Sequence, residues 1–113
     1  MGINSTEVSY GFGQLGSGFC DTTGAFTPPT GKVIVGIQFL EDTSLSALVA
    51  DTAQGNDAAF ISTASVVTGN GAGADSVNSS QLFLGGMTIY GRWTSVTLAS
   101  ASSTGGIICY FGE

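Results

Sequence analysis

Apolar and polar residues alternate with a period of two over several short stretches of this chain, and turn residues separate the stretches. That is the pattern of β-strands with one face turned to a core. The clearest stretch is 32–40. Val33, Val35, Ile37 and Phe39 fall on one face, and Ile34, Gly36, Gln38 and Leu40 on the other. Both faces are largely apolar, which predicts a central strand. It follows Pro28-Pro29-Thr30-Gly31, a turn whose prolines have no N–H to give to a central ladder. A second strand is expected over 87–99, where Ile89, Gly91, Trp93 and Ser95 alternate with Tyr90, Arg92, Thr94, Val96 and Leu98. Its length calls for a bend at Gly91 or a hairpin close to it. A third, 107–111, is entered through Gly105-Gly106, a turn suited to closing a hairpin on the preceding strand.

Shorter strands are expected at 7–12, 19–21, 59–63 and 82–84. Leu45, Leu48 and Val49 are spaced for one or two helical turns over 43–51, with Thr43 or Ser44 as the cap. Residues 68–80 are glycine, serine, asparagine and alanine with little to bury, and predict an exposed loop. Six to eight short strands at this spacing predict an all-β, single-domain fold: a β-sandwich, jelly roll or small barrel over 1–113. Residues 1–8 would form an extended N-terminal arm able to add to a neighbour's sheet edge.

Composition narrows the function. The chain of 113 residues has no histidine, and its only basic residues are Lys32 and Arg92. General acid/base catalysis draws on His or on tuned clusters of carboxylates and lysines, and the acidic residues here are mostly scattered singly, so an enzyme is not expected. Two separated cations cannot neutralise a run of phosphates, which argues against nucleic acid. No apolar run is long enough to span a membrane, and the first residues lack the basic start and apolar core of a signal peptide. Synthesis in the cytoplasm is the expectation. Charged residues make up 9% of the chain, against about 25% in average soluble domains. A surface so poor in charge favours association, and the net charge of −6 opposes it only in part.

Several patterns that resemble sites lack the context those sites need. Gly11-Phe12-Gly13-Gln14-Leu15-Gly16 matches G-x-G-x-x-G, but no helix pattern follows it and the chain has no β/α alternation, so no cofactor is expected. Gly71-Ala72-Gly73-Ala74-Asp75 is a single copy of a calcium β-roll pattern that works in tandem. Glu41 and Asp42, with Asp51 and Asp57 nearby in sequence, are hard oxygen ligands in type, but read better as solvated carboxylates at a strand end. Cys20 and Cys109 have no metal-ligand spacing. They either clamp the termini as a disulfide or pack as small hydrophobes, and the second is favoured for a cytosolic product. The aromatic residues are more informative. Tyr90 and Trp93 have opposite parity, so one faces the core and the other outward unless a bulge intervenes, and Arg92 shares the face of Tyr90. Tyr90, Arg92 and Trp93 are therefore the candidate interface residues.

A glycine- and serine-rich, cysteine-poor β-chain opening Gly2-Ile3-Asn4-Ser5-Thr6-Glu7-Val8 and carrying Gly31-Lys32-Val33-Ile34-Val35-Gly36-Ile37-Gln38-Phe39-Leu40 and Met87-Thr88-Ile89-Tyr90-Gly91-Arg92-Trp93 resembles the small virion proteins of tailed phages, particularly those of cyanobacterial phages. The resemblance is one of style over most of the chain. It implies a capsid decoration or cement protein that sits on the major capsid protein or on other virion proteins, self-associates, has no active site or cofactor, and is found in the virion. The alternatives are a self-assembling filament, a tail or fibre subunit, and a carbohydrate-binding adhesin module that stacks sugars on exposed aromatics.

Overall fold

A computed structural model describes residues 15–62 and 67–113. The strand expected at 7–12, the arm at 1–8 and all of the G-x-G-x-x-G pattern but its last two residues lie outside them. The described chain is all-β: β1 (Ser17–Cys20), β2 (Val33–Phe39), β3 (Thr43–Ala50), β4 (Ala59–Ile61), β5 (Leu82–Phe83), β6 (Thr88–Leu98) and β7 (Ile107–Gly112), with 3-10 turns at Thr52–Gln54 and Thr68–Asn70. All seven strands form one antiparallel sheet in the order β1-β7-β2-β6-β3-β4, with β5 also pairing on β3. At coarse level this is the sandwich or small-barrel class that period-two patterning predicts.

The long strand β6 organises the sheet. Its first half pairs with β2, from Gln38 opposite Thr88 to Ile34 opposite Trp93. Its second half pairs with β3, from Ala50 opposite Trp93 to Leu45 opposite Leu98. Beyond the end of β2, the other edge of the second half is met by Phe26, which exchanges both backbone hydrogen bonds with Val96 at 2.8 and 3.0 Å. One strand thus holds the two halves of the sheet together, and their inner faces share a single apolar core.

Bulges decide which side chains enter that core. In β2 the register shifts between Ile34 and Gly36, so Ile34 turns inward together with Ile37 and Phe39, while Gly36 faces out between two tyrosines. A strand with strict alternation would have put Ile34 and Ile37 on opposite faces. Three inner rows result: Phe111–Ile34–Trp93–Ala50, Cys109–Ile37–Ile89, and Cys20–Ile107–Phe39. Phe39 stacks on Phe83 with centroids 4.8 Å apart, and Phe26 stacks on Phe111 at 6.1 Å. Each fully buried Ile, Leu or Phe contributes about 1.5–3 kcal/mol by leaving water.

Two expectations are corrected. Residues 43–50 are strand β3, not helical turns: register shifts at Leu45/Ala47 and Val49/Ala50 leave Leu45, Leu48 and Ala50 all inward, and a three-residue spacing made by bulges imitates a helical one. Gly105-Gly106 does not close a hairpin of β6 with β7. After β6 the chain crosses the end of the sheet, and β7 inserts between β1 and β2. Gly106 is needed for that crossing. Its φ is +130°, and a Cβ there would lie 2.6 Å from the carbonyl oxygen of Cys20. The loop at 68–80 is mostly exposed as expected, but it is tied down by Val77, which bridges to Ile61.

These backbone constraints predict an order of stability. Gly106→Ala should cost about 2 kcal/mol, from strain and the carbonyl contact together. Gly31→Ala, where φ is +83° but nothing lies within 4 Å, should cost about 1 kcal/mol. Urea midpoints falling from wild type to Gly31→Ala to Gly106→Ala would bear this out, and equal midpoints for the two variants would refute it.

Candidate interaction surface

The outer face of β1, β7, β2 and β6 carries two adjoining cross-strand rows, Ser17–Tyr110–Gly36–Tyr90 and Phe19–Ile108–Gln38–Thr88. None of these positions bears a charge. Phe19 is 54% and Tyr90 64% exposed. Gly36 lies buried between the two tyrosines, and a Cβ there would stand 3.5 Å from each ring, so the glycine lets the two aromatic side chains close in over the strand. Tyr110 donates its hydroxyl hydrogen to Gln38 Oε1 at 2.8 Å, which fixes its ring. The result is a flat, neutral, partly aromatic surface on a protein of net charge −6. Such surfaces are suited to burial against another protein.

The expected interface residues divide. Tyr90 and Arg92 point outward on β6. Trp93 does not: it is 2% exposed, meets Phe60 edge-on at 5.7 Å, and belongs to the core. The parity argument separates it from Tyr90 correctly, and its place among interface residues is the part corrected. Arg92 is held on one side by Asp51, with Nη2 3.1 Å and Nε 3.3 Å from Oδ2, and on the other by the backbone oxygen of Glu113 at 2.6 Å. This is the one ion pair among the described residues. Together these contacts pin Glu113 beside β6 while spending the guanidinium on intramolecular partners.

Beside Arg92, a cleft of about 420 Å³ opens between β6 and the loops at its edge, lined by Phe60, Tyr90, Gly91, Trp93, Asn56 and Asn70 among others. Gly91 lets the indole of Trp93 lie against the backbone, since a Cβ there would be 2.6 Å from the ring. The loops are fixed to each other by polar bonds. Asn70 Oδ1 accepts from Asp57 N at 2.9 Å and from Asn56 Nδ2 at 3.2 Å, and Gly69 N donates to Asp57 Oδ2 at 2.8 Å. Sequence reasoning missed Phe60, Asn56 and Asn70 because strand pairing of β4 on β3 and long-range bonds between the two loops, not local pattern, place them there.

The carboxylates do not assemble. Glu41 accepts from the hydroxyls of Ser102 and Thr104, Asp42 accepts from Gly85 N at 2.8 Å, Asp57 serves the loop and Asp51 serves Arg92. Among the described residues no three metal-ligating side chains converge. Asp51 also caps the turn that follows it by accepting from Ala53 N at 3.0 Å. That bond, with help from Arg92, holds its carboxyl below the usual carboxylate range.

Cys20 and Cys109 are free thiols, both buried, so the disulfide alternative is not realised and the packing alternative is. Cys109 stands opposite Gly18 and Cys20 opposite Ile107, a diagonal relation on one face of adjacent strands. Direct opposition brings Cβ atoms much closer than the diagonal, and a disulfide needs that closeness. Burial, and secondarily the neighbouring Cys20, pushes the Cys109 thiol up to about 12.

The chain matches no protein-family model, no curated protein and no solved structure.

Two titrations follow. The Cys109 thiol ionises at about 12 in the fold against 9.0 for an ordinary thiol, so its contribution to stability is complete below pH 9 and is lost as pH rises from there toward 12. Cys109→Ala should flatten that alkaline decline, and thiol reagents at pH 8 should leave Cys109 unmodified until the protein is unfolded. Asp51 has the opposite sign. Its lowered pKa stabilises the fold above the ordinary value of 3.8 and stops doing so as pH falls through the folded-state value. Asp51→Asn should reduce the acid-side slope of a denaturation series, and an unchanged slope would rule that role out.

Proposed function

We propose that this protein is a non-enzymatic assembly module, a capsid decoration or cement protein that docks on a virion head lattice through the neutral outer face of β1, β7, β2 and β6. The observation that carries the reading is the pair of uncharged rows with Phe19 and Tyr90 standing out of them. Phe19 and Tyr90 stand at opposite ends of the patch, and exposed aromatic residues are the kind of anchor on which association free energy concentrates. The rest of the surface suits the role. Net charge of −6 on a chain with 9% charged residues disfavours indiscriminate clustering while leaving this one face without repulsion. The sheet behind the face is rigid, because its other side is the apolar core, so docking needs little ordering of backbone. The style of the sequence, which resembles small tailed-phage virion proteins, supports the same assignment.

The test is cosedimentation of the chain with heads assembled from the major capsid protein of the same genome. Wild type should saturate the heads, and Phe19→Ser combined with Tyr90→Ser, both at exposed positions, should weaken binding at least tenfold with the unfolding midpoint little changed. Absence of the wild-type chain from the heads would overturn the reading. Growth of the isolated chain into an open-ended series of sizes would replace it with a filament subunit.

A further inference from the structure

Four of the six large apolar side chains exposed among the described residues are carried at one end of the sheet. Leu40 follows β2, and Leu82, Leu84 and Met87 come from β5 and the turn after it, each 40–55% exposed. Backbone bonds tie these two segments together: Phe39 N donates to Met87 O at 2.9 Å, and Gly86 N donates to Phe39 O at 2.7 Å. The turn is held from below as well. Phe83 stacks on Phe39, Gly85 N donates to Asp42 Oδ1, and Gly85 packs so closely that a Cβ there would lie 3.0 Å from Glu41 Cα. Single exposed apolar residues are ordinary, whereas four on one bonded platform mark a contact surface.

Charge decides what covers it. A groove of about 350 Å³ adjoins the platform, lined by Leu82, Leu98 and Ala99 together with Glu41 and Asp42. Asp21 reaches the same end of the sheet through the row Cys20–Ile107–Phe39. The two cations of the chain lie toward the other end, Lys32 before β2 and Arg92 beside Trp93, the partner of Ile34. Both are engaged, Lys32 with the backbone oxygen of Leu15 and Arg92 with Asp51 and Glu113. A second copy of this chain would therefore set carboxylates against carboxylates with no free cation between them. Anionic lipid headgroups meet the same repulsion. A wholly apolar partner would strip water from Glu41 and Asp42 without replacing it. The complementary partner is apolar at its centre and cationic at its flank. We propose that Leu40, Leu82, Leu84 and Met87 form a second docking surface that takes an amphipathic cationic segment of another protein. Aliphatic side chains of that segment cover the four residues, and its Lys or Arg side chains meet Glu41 and Asp42. Both carboxylates are already oriented, Glu41 by the hydroxyls of Ser102 and Thr104 and Asp42 by Gly85 N, and an ionised carboxylate accepts further donors. None of the four apolar residues belongs to the two outer rows, so this inference goes beyond docking through the outer face.

The probe is a short synthetic peptide of leucine and lysine, titrated into the isotope-labelled full chain and read by backbone amide shifts. Saturable shifts confined to 39–44 and 82–88 are expected at millimolar concentration or below. A peptide of leucine and glutamate should not produce them, nor should one of serine and lysine. Leu84→Ser combined with Met87→Ser, both at exposed positions, should weaken binding about tenfold with the unfolding midpoint little changed. Asp42→Asn keeps the acceptor for Gly85 N, and should weaken binding severalfold and flatten its salt dependence. Absence of shifts overturns the proposal, as do shifts spread over the whole surface or equal binding of either control peptide. Self-association of the chain alone that the Leu84→Ser and Met87→Ser variant abolishes would put a second copy there instead, and binding of phosphatidylcholine vesicles through the same residues would put a lipid surface there. The Phe19→Ser and Tyr90→Ser variant should bind the peptide as wild type does, so loss of head binding and loss of this surface are read separately.

Discussion

Trp93 sits where β6 passes from β2 on one side to β3 on the other, with Ile34 and Ala50 as its partners across the two ladders. A strand shared in this way must bend, and the bend needs register shifts in both neighbours: between Ile34 and Gly36 in β2, and between Val49 and Ala50 in β3. A bulge adds local twist and re-aims the side chains that follow it. Here it lets the row Phe111–Ile34–Trp93–Ala50 stay inside through the corner. The outer face and the cleft are both shaped by that corner. Gly36 faces out between the tyrosines because Ile34 faces in, and the cleft exists because the indole lies flat over Gly91.

Much of this was legible in the sequence wherever alternation is undisturbed. β7 and the greater part of β2 and β6 lie where period-two patterning puts them, and the bend near Gly91 follows from the length of β6. The misreadings share one cause. Bulges break the two-residue period, so Leu45 and Leu48 acquire a helical spacing within a strand, and Ile34 joins the face of Ile37 and Phe39. The position of β7 was hidden for another reason. A two-glycine turn permits a tight hairpin, but it equally permits the crossing that Gly106 makes with φ at +130°, and only the competition for the slot between β1 and β2 decides between them. The aromatic site was half legible. Opposite parity separates Tyr90 from Trp93, whereas Asn56 and Asn70 come to the cleft through bonds spanning more than ten residues, which no local pattern records.

With charge so scarce, several of the described charged residues have structural tasks. Arg92 holds Asp51 and the backbone of Glu113, Lys32 donates to the backbone of Leu15 at 2.9 Å, and Glu41 gathers the hydroxyls of Ser102 and Thr104 beneath the crossing into β7. Charges used in this way contribute little free energy at the surface, but they position loops and ends that carry few apolar residues of their own. The cost is that little charge remains for solubility, and none of it falls on the two outer rows.

Tyr90 belongs to both outer surfaces, the flat face through its row with Gly36 and the cleft through its neighbours Gly91 and Arg92. A partner that covers the whole face to its β6 edge would bury this ring and close the rim of the cleft. A partner centred on Phe19 and Tyr110 would leave the rim open, and would also hold the sheet that supports it. How far docking extends across β2 toward β6 therefore decides whether the cleft stays accessible. Because Tyr90 is common to the face and the cleft, cover of one changes access to the other.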